Sequence, residues 1–361
     1  MSGVKTSKLI GLYISTALPT LFLASFFRSP PQNFHNSEKV EFDIVRSDED
    51  VAIVINDLST GARMNSDDLF TNKEFTPPIY QEEGTINSFD LIKRQAGQTP
   101  YEDPNFQATA TVKAFAIFRK LEAKIRRAIE LMASQVLQTG VLTLLDQDGN
   151  ARFSMDFAPK STHFPNAGTA WDANGADPLA DMKALAEVIR SDGLVDVDTA
   201  IMGDSAFLWF MKNADVIAQL ENRRMEVGQI APVGMGAGAT YQGHFWVGNY
   251  RIAIWTYNGR YKHPQTGVST RYVLPDSVIM LSSTSTVLDL TFGSIPSIVA
   301  PDSRVLPFLP ARLPNSAGGM DLTTNAWVSP DGTTLKVSAG TRPLTIPTAI
   351  DTFGCIDTLI D

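Results

Sequence analysis

Between Asn105 and Thr139 the chain runs without a proline or a glycine, and Phe115, Phe118, Leu121, Ile125, Ile129, Met132 and Val136 recur within it every three or four positions. That spacing lines one face of an α-helix. Asp103 offers a capping carboxylate, Pro104 suits a first helical turn, and Gly140 is a natural stop. At about 1.5 Å per residue the helix would run roughly 45–50 Å, longer than most compact domains need. A polar, extended-looking segment precedes it. A long helix behind an extended arm suits a chain that completes its packing against neighbours, so the first inference is assembly rather than catalysis.

With 361 residues the chain can bury one large core or two modest ones, and 43% hydrophobic and 19% charged residues fit a folded protein. The net charge of −9 argues against a surface that grips nucleic acid, because phosphate binding needs clustered positive charge. An acidic wall can still enclose DNA by repelling it. One cysteine, Cys355, excludes an internal disulfide framework and any multi-cysteine zinc site. His35, His163, His244 and His263 show no short-range pairing of the kind that holds a metal, and neither a metal nor a cofactor is expected. This usage fits a reducing compartment.

The N-terminus has two readings. Lys5 and Lys8 before the apolar run Leu9–Phe27 outline a signal peptide or one short membrane span. Pro19 interrupts that run, Ser15, Thr16, Thr20 and Ser25 dilute it, and Phe26-Phe27-Arg28-Ser29 is a poor cleavage site. The other reading is an amphipathic arm that docks on protein. No other stretch is apolar for long enough to span a bilayer.

Residues 1–37 read as that arm, with some helix near Ser7–Ala17. Strand patterns follow: Val40, Phe42 and Ile44 alternate with Glu41 and Asp43, Val51–Ile55 is an apolar run, and Phe89 and Leu91 flank Asp90. Asp57–Gly84 between them has acidic pairs and too little apolar content to pack on itself, which predicts a long two-stranded loop with an exposed tip. After the helix, Val141–Leu145 and Ala151–Phe157 flank a turn at Asp146–Asn150. A helix is predicted over Pro178–Arg190, closed by Gly193, then a buried strand over Val195–Met202 and a helix over Asp204–Asn213 capped by Asp204 or Ser205. Gly228–Gly243 reads as a flexible loop. Strands are predicted at Phe245–Val247, Arg251–Tyr257, Thr270–Val273, Val278–Ser282 and Val287–Phe292, with short strands and turns in the tail. The layout is α+β with a second lobe near Pro178–Ser282.

Chemical motifs are weak. Gly203-Asp204-Ser205 follows an apolar strand and opens a helix, like the nucleophile block of GDS-type esterases, but no histidine has the aspartate three residues before it that such enzymes use. Gly234-Met-Gly-Ala-Gly238 lacks the preceding strand and spacing of a dinucleotide fingerprint. The pairs Asp67-Asp68, Glu82-Glu83 and Glu102-Asp103 sit in polar surroundings. Lys113, Arg119, Lys120, Lys124, Arg126 and Arg127 occupy the polar side of the long helix. Either they form a solvated face with Glu122–Arg126 as an i,i+4 pair, or the acidic loop of one copy lies over the basic helix of the next.

Leu21-Phe-Leu-Ala-Ser-Phe-Phe-Arg28, Glu38-Lys-Val40, Glu74-Phe-Thr-Pro77 and Glu102-Asp-Pro104, in that order before a long helix, resemble the lambda-type major capsid proteins of tailed phages, the phage capsid E family with the HK97-like fold. Tyr272-Val-Leu-Pro-Asp276 and Phe353-Gly-Cys355 extend the resemblance loosely. The resemblance implies four parts: an N-terminal arm (1–37), an extended β-hairpin loop or E-loop (38–98), a peripheral domain with the spine helix (99–177 and 283–340) and an axial domain (178–282 and 341–361). It implies a non-enzymatic head protein whose copies form hexamers and pentamers of an icosahedral shell around double-stranded DNA, located in the virion and assembled in the host bacterial cytoplasm. On this basis Phe22, Phe26, Phe27 and Arg28 of the arm, Asp67, Asp68, Glu82 and Glu83 of the loop, and Lys113, Lys120, Lys124 and Arg127 of the helix are the candidate intersubunit contacts. A membrane anchor is then not expected. With no N-terminal coiled coil, a separate scaffolding protein is expected, with a portal and a decoration protein as further partners. Asn56, Asn65, Asn72 and Lys73 lie in or near the loop where some relatives crosslink, and no crosslink is expected here. An encapsulin-like compartment shares the fold, and a GDS-type hydrolase is the remote rival.

Overall fold

The computed structural model describes residues 21–35, 40–45, 70–89, 106–146, 148–220, 228–236, 238–284, 288–295 and 322–359. The expected helix near Ser7–Ala17, the strand at Val51–Ile55, Asp67, Asp68 and Glu102-Asp103 lie outside them.

The long helix α1 spans Phe106–Thr139. Ala114, Phe118, Leu121, Ile125, Ile129, Met132, Ala133, Val136 and Leu137 are its buried side chains, so the apolar stripe read from the sequence is the face that packs. Gly140 ends it, and the hairpin of β4 (Val141–Leu145) and β5 (Ala151–Asp156) follows. Its turn is held by Asp146, whose carboxylate accepts the backbone N–H groups of Asp148 and Asn150, both at 2.9 Å.

Before the helix, β1 (Val40–Val45) pairs antiparallel with β2 (Phe70–Phe75), as the base of a two-stranded loop would. Tyr80–Asn87 then forms β3, a strand placed inside and just beyond the segment read as loop. Strand β3 stops at Asn87, and Phe89 beyond it is 76% exposed; the rest of the strand expected over Phe89–Leu91 lies outside the described residues.

Further along, α2 covers Pro178–Gly193, with Asp177 accepting the Ala180 N–H at 3.0 Å. Strand β6 covers Thr199–Met202, and α3 (Asp204–Lys212) and α4 (Ala214–Leu220) come next. The glycine-rich Gly228–Gly243 is not a loop. It supplies β7 (Gly228–Gly236) and the start of β8 (Ala239–Val247), a hairpin with shifts in register. Glycine gives no side-chain alternation to read, yet its backbone pairs as well as any other. Then follow β9 (Tyr250–Tyr257), β10 (Arg260–Lys262), β11 (Ser269–Arg271), β12 (Ser277–Leu281), β13 (Leu288–Phe292), β14 (Thr323–Val328), β15 (Thr334–Thr341), β16 (Pro343–Pro347) and β17 (Phe353–Asp357).

The largest sheet has the order β17-β12-β6-β9-β8-β7, parallel only between β6 and β9. Alternate side chains along its strands enter two cores. Ala200, Met202, Val278, Met280, Ile252 and Ile254 join α2 and α3 in one. Ile201, Ile279, Leu281, Phe353 and Tyr257 face the other, which gathers around α1. Burial on both faces explains why these strands read as continuous apolar runs. Around α1 sit a three-stranded sheet, β14-β15-β3, and the pair β13-β16. Residues 343–347 thus lie with the long helix, whereas 353–357 lie in the large sheet.

Candidate assembly surfaces

The arm is built onto the body by its backbone. Arg28 N–H donates to Leu288 O and Leu290 N–H donates to Arg28 O, both at 2.8 Å, and His35 N–H reaches Phe292 O at 2.8 Å. These bonds lay the arm beside β13 as a parallel neighbour. Phe34 stacks on Phe292 with ring centroids 5.1 Å apart. Phe27 is buried at 5% exposure, and Phe22, half-buried, packs against Phe26, Trp255 and Tyr257. These aromatics therefore already cover part of their own subunit.

Glu130 of α1 was not among the residues singled out from the sequence, and it holds the turn of this arm. It is 1% exposed. Its carboxylate accepts the backbone N–H groups of Phe22 (3.1 Å), Leu23 (2.8 Å) and Ala24 (3.0 Å), and the Tyr257 hydroxyl (2.8 Å). Hydrogen bonds to a charged acceptor contribute about 1.5–3 kcal/mol each, and four of them offset the cost of burying the charge. Burial and the adjacent carboxylate push the Tyr257 phenol well above its ordinary range, so it remains a donor. Glu130 lies about 100° around the helix from Ile129, off the three-and-four spacing of the apolar stripe, so nothing local in the sequence set it apart.

The basic side of α1 divides in two. Glu122 is buried, and Arg126 (2.9 Å) and Arg119 (4.0 Å) turn inward to it, so this is an enclosed pair and not a solvated face. Lys120, Lys124 and Arg127 are exposed at i, i+4 and i+7, a single stripe, and Lys113, half-buried, lies seven residues before Lys120 on the same side. The loop acids expected to meet that stripe from a neighbouring copy have partners at home. Glu82 Oε2 is 2.9 Å from Lys124 Nζ, and Glu83 Oε1 is 3.1 Å from Lys336 Nζ. Their strand β3 runs along α1 of its own subunit, with Gly84 set against Ile117. Within the subunit, then, Glu82 meets the long helix and Glu83 meets the neighbouring strand β15, both through exposed pairs.

Gly203-Asp204-Ser205 is accounted for by packing. No side chain caps α3; Gly203 is the capping residue, and a Cβ there would lie 2.2 Å from Leu274 O and 2.3 Å from Pro275 O. Asp204 pairs with Arg271 across the link into β12. The buried His163 has both ring nitrogens engaged, with Phe353 O (2.9 Å) and Asp192 (3.2 Å). Lys160 adds to this cluster, 3.1 Å from Asp192 and 3.7 Å from the buried Asp351. Burial opposes ionisation of Asp192, but its bonds to Lys160 and His163 outweigh it and hold the carboxyl below its ordinary value. Burial pushes the Cys355 thiol up to about 12, so it remains a neutral core side chain. Among the described residues no group of acids, histidines and cysteine is placed to hold a metal ion, and no helix is long and apolar enough to cross a membrane.

The long helix, the arm beside it, the two-stranded loop base and the large sheet form the HK97-like capsid fold. A prophage protein of E. coli CFT073 assigned as a capsid protein superposes with a TM-score of 0.63 over 98% of both chains at 14% identity. The capsid of Ralstonia phage GP4 gives 0.48 over 93% of this chain and 87% of that one at 11% identity. The SrpI encapsulin of Synechococcus elongatus PCC 7942 gives 0.43 over 97% and 95% at 10% identity. No curated protein matches the sequence. The sequence model of the phage major capsid protein E family matches residues 14–354, and the chain belongs to that family. It is a major capsid protein of a bacteriophage head.

Proposed function

We propose that copies of this chain assemble as hexamers and pentamers into an icosahedral head that encloses double-stranded DNA without sequence-specific binding. The observation that carries the reading is the family match over residues 14–354 on a chain whose arm, loop base, long helix and large sheet are the parts of such a shell. The peripheral part comprises 99–177 and 283–340 with α1 as spine, and the axial part 178–282 and 341–361, except that 343–347 pack with the spine helix. The net charge of −9 suits an inner wall that leaves packed DNA free to move. The chain acts without catalysis or cofactor, is assembled in the host bacterial cytoplasm, and works with a separate scaffolding protein, a portal and a decoration protein.

Within the shell, the exposed stripe of Lys120, Lys124 and Arg127, with Lys113, receives acidic groups of a neighbouring loop: Asp67 and Asp68, with Glu82 and Glu83 exchanging their exposed pairs in the free subunit for it. Charge reversal tests this. Lys120→Glu with Arg127→Glu is expected to abolish shells while the subunit stays folded, and Asp67→Lys with Asp68→Lys in the same chain to restore part of the yield. Normal shells from the first double variant would reject the contact.

A further inference from the structure

A buried carboxylate on the packed face of a helix is costly unless all of its acceptor capacity is used. At Glu130 that capacity is filled from two directions. The large sheet sends in the Tyr257 hydroxyl, and the arm sends in three consecutive backbone N–H groups, those of Phe22, Leu23 and Ala24. Trp255 and Tyr257 of β9 form an aromatic wall beside it, with ring centroids 5.4 and 5.2 Å from that of Phe22. The socket therefore asks little of the arm's sequence. It requires a turn whose first three N–H groups converge, and one aromatic side chain to cover the wall.

We propose that Glu130 is the positioning residue of the arm: an anionic socket that seats residues 22–24 by their backbone and fixes where the arm leaves the body. Seating in turn sets which arm surface neighbouring copies meet during assembly, and this second half rests on the shell-forming role proposed above. Removing the charge unseats residues 22–27, which takes Leu23, Ala24 and Phe27 out of the core around α1, while the segment along β13 and the rest of both cores, held by apolar contacts, stay folded.

The test uses the full chain. Under native conditions chymotrypsin should cut at Phe22, Phe26 and Phe27 about tenfold faster or more in Glu130→Gln than in wild type, since the neutral amide loses charge-assisted bonds and sets its own N–H groups against those of the arm. Ala24→Pro, which deletes one donor from the arm and leaves the helix untouched, should free the arm comparably and serves if the Glu130 variant does not fold. Glu122→Gln, a second buried acid of α1 that faces Arg119 and Arg126 instead, should leave arm cleavage within about twofold of wild type even where it lowers the melting temperature. Arms as protected in Glu130→Gln and Ala24→Pro as in wild type would overturn the seat, as would equal release by Glu122→Gln. Shell yield, read on the same preparations by electron microscopy, should fall in both arm-releasing variants. Undiminished shells from a chain with a released arm would overturn the assembly half. Wild-type chain that gives no shells would instead count against the shell-forming role, and the cleavage comparison decides the seat on its own.

Discussion

Gly203 illustrates how a motif can be occupied for reasons of space. The two carbonyl oxygens that a Cβ would meet there belong to backbone, which cannot rotate away as a side chain could. Gly203→Ala is therefore expected to destabilise the fold by about 3 kcal/mol, measured by urea unfolding, whereas Ser205→Ala should stay within about 0.5 kcal/mol. Ester hydrolysis by the wild-type chain that Ser205→Ala abolishes would contradict this account of the motif. Asp192 gives a second expectation. Its carboxyl sits below the ordinary 3.8 in the folded chain, so its ionised form stabilises the fold at higher pH. That contribution is present above 3.8 and is lost as pH falls through the lower folded value. Asp192→Asn should accordingly be less stable near neutrality and show a shallower loss of stability below pH 3.8. A parallel pH profile would show that Lys160 and His163 do not hold its charge.

At the scale of elements, long periodic stretches were legible and side-poor ones were not. The helix Phe106–Thr139, the hairpin over Val141–Asp156 and the helix from Pro178 followed from spacing and punctuation. The hairpin of β7 and β8 did not, because Gly234, Gly236 and Gly238 leave no pattern of apolar faces. Strand β3 was read as loop because Glu82, Glu83 and Gly84 look solvated in sequence; the structure gives each acid a lysine and sets the glycine against a helix. In the same way the Glu130 socket needs β9 and the arm to be brought together, and residues more than a hundred positions apart carry no local signal of that meeting. The packing of β3 on α1 can be tested directly. A Cβ at Gly84 would lie 2.4 Å from Ile117 Cγ2, so Gly84→Val should cost about 1–3 kcal/mol and Ile117→Ala in the same chain should recover part of it. Additive losses would mean that strand and helix do not press on each other there.

For the whole molecule, the sequence pointed to assembly because one helix is longer than most compact domains need and an aromatic arm precedes it. The structure adds that the arm, the helix and the large sheet meet at one buried carboxylate, so the subunit is prepared internally for what it presents outside. Exposed apolar side chains remain at several places, among them Ile79, Phe89, Leu208 and Val233, the last on β7, the end strand of the large sheet among the described residues. Surfaces of this kind are covered in an assembly more readily than in a free subunit. Negative-stain electron microscopy of the purified chain, expressed alone and together with a candidate scaffolding protein, addresses this most directly. Closed shells of uniform diameter are the predicted result. A folded monomer in both preparations, with neither shells nor capsomers, would contradict the account.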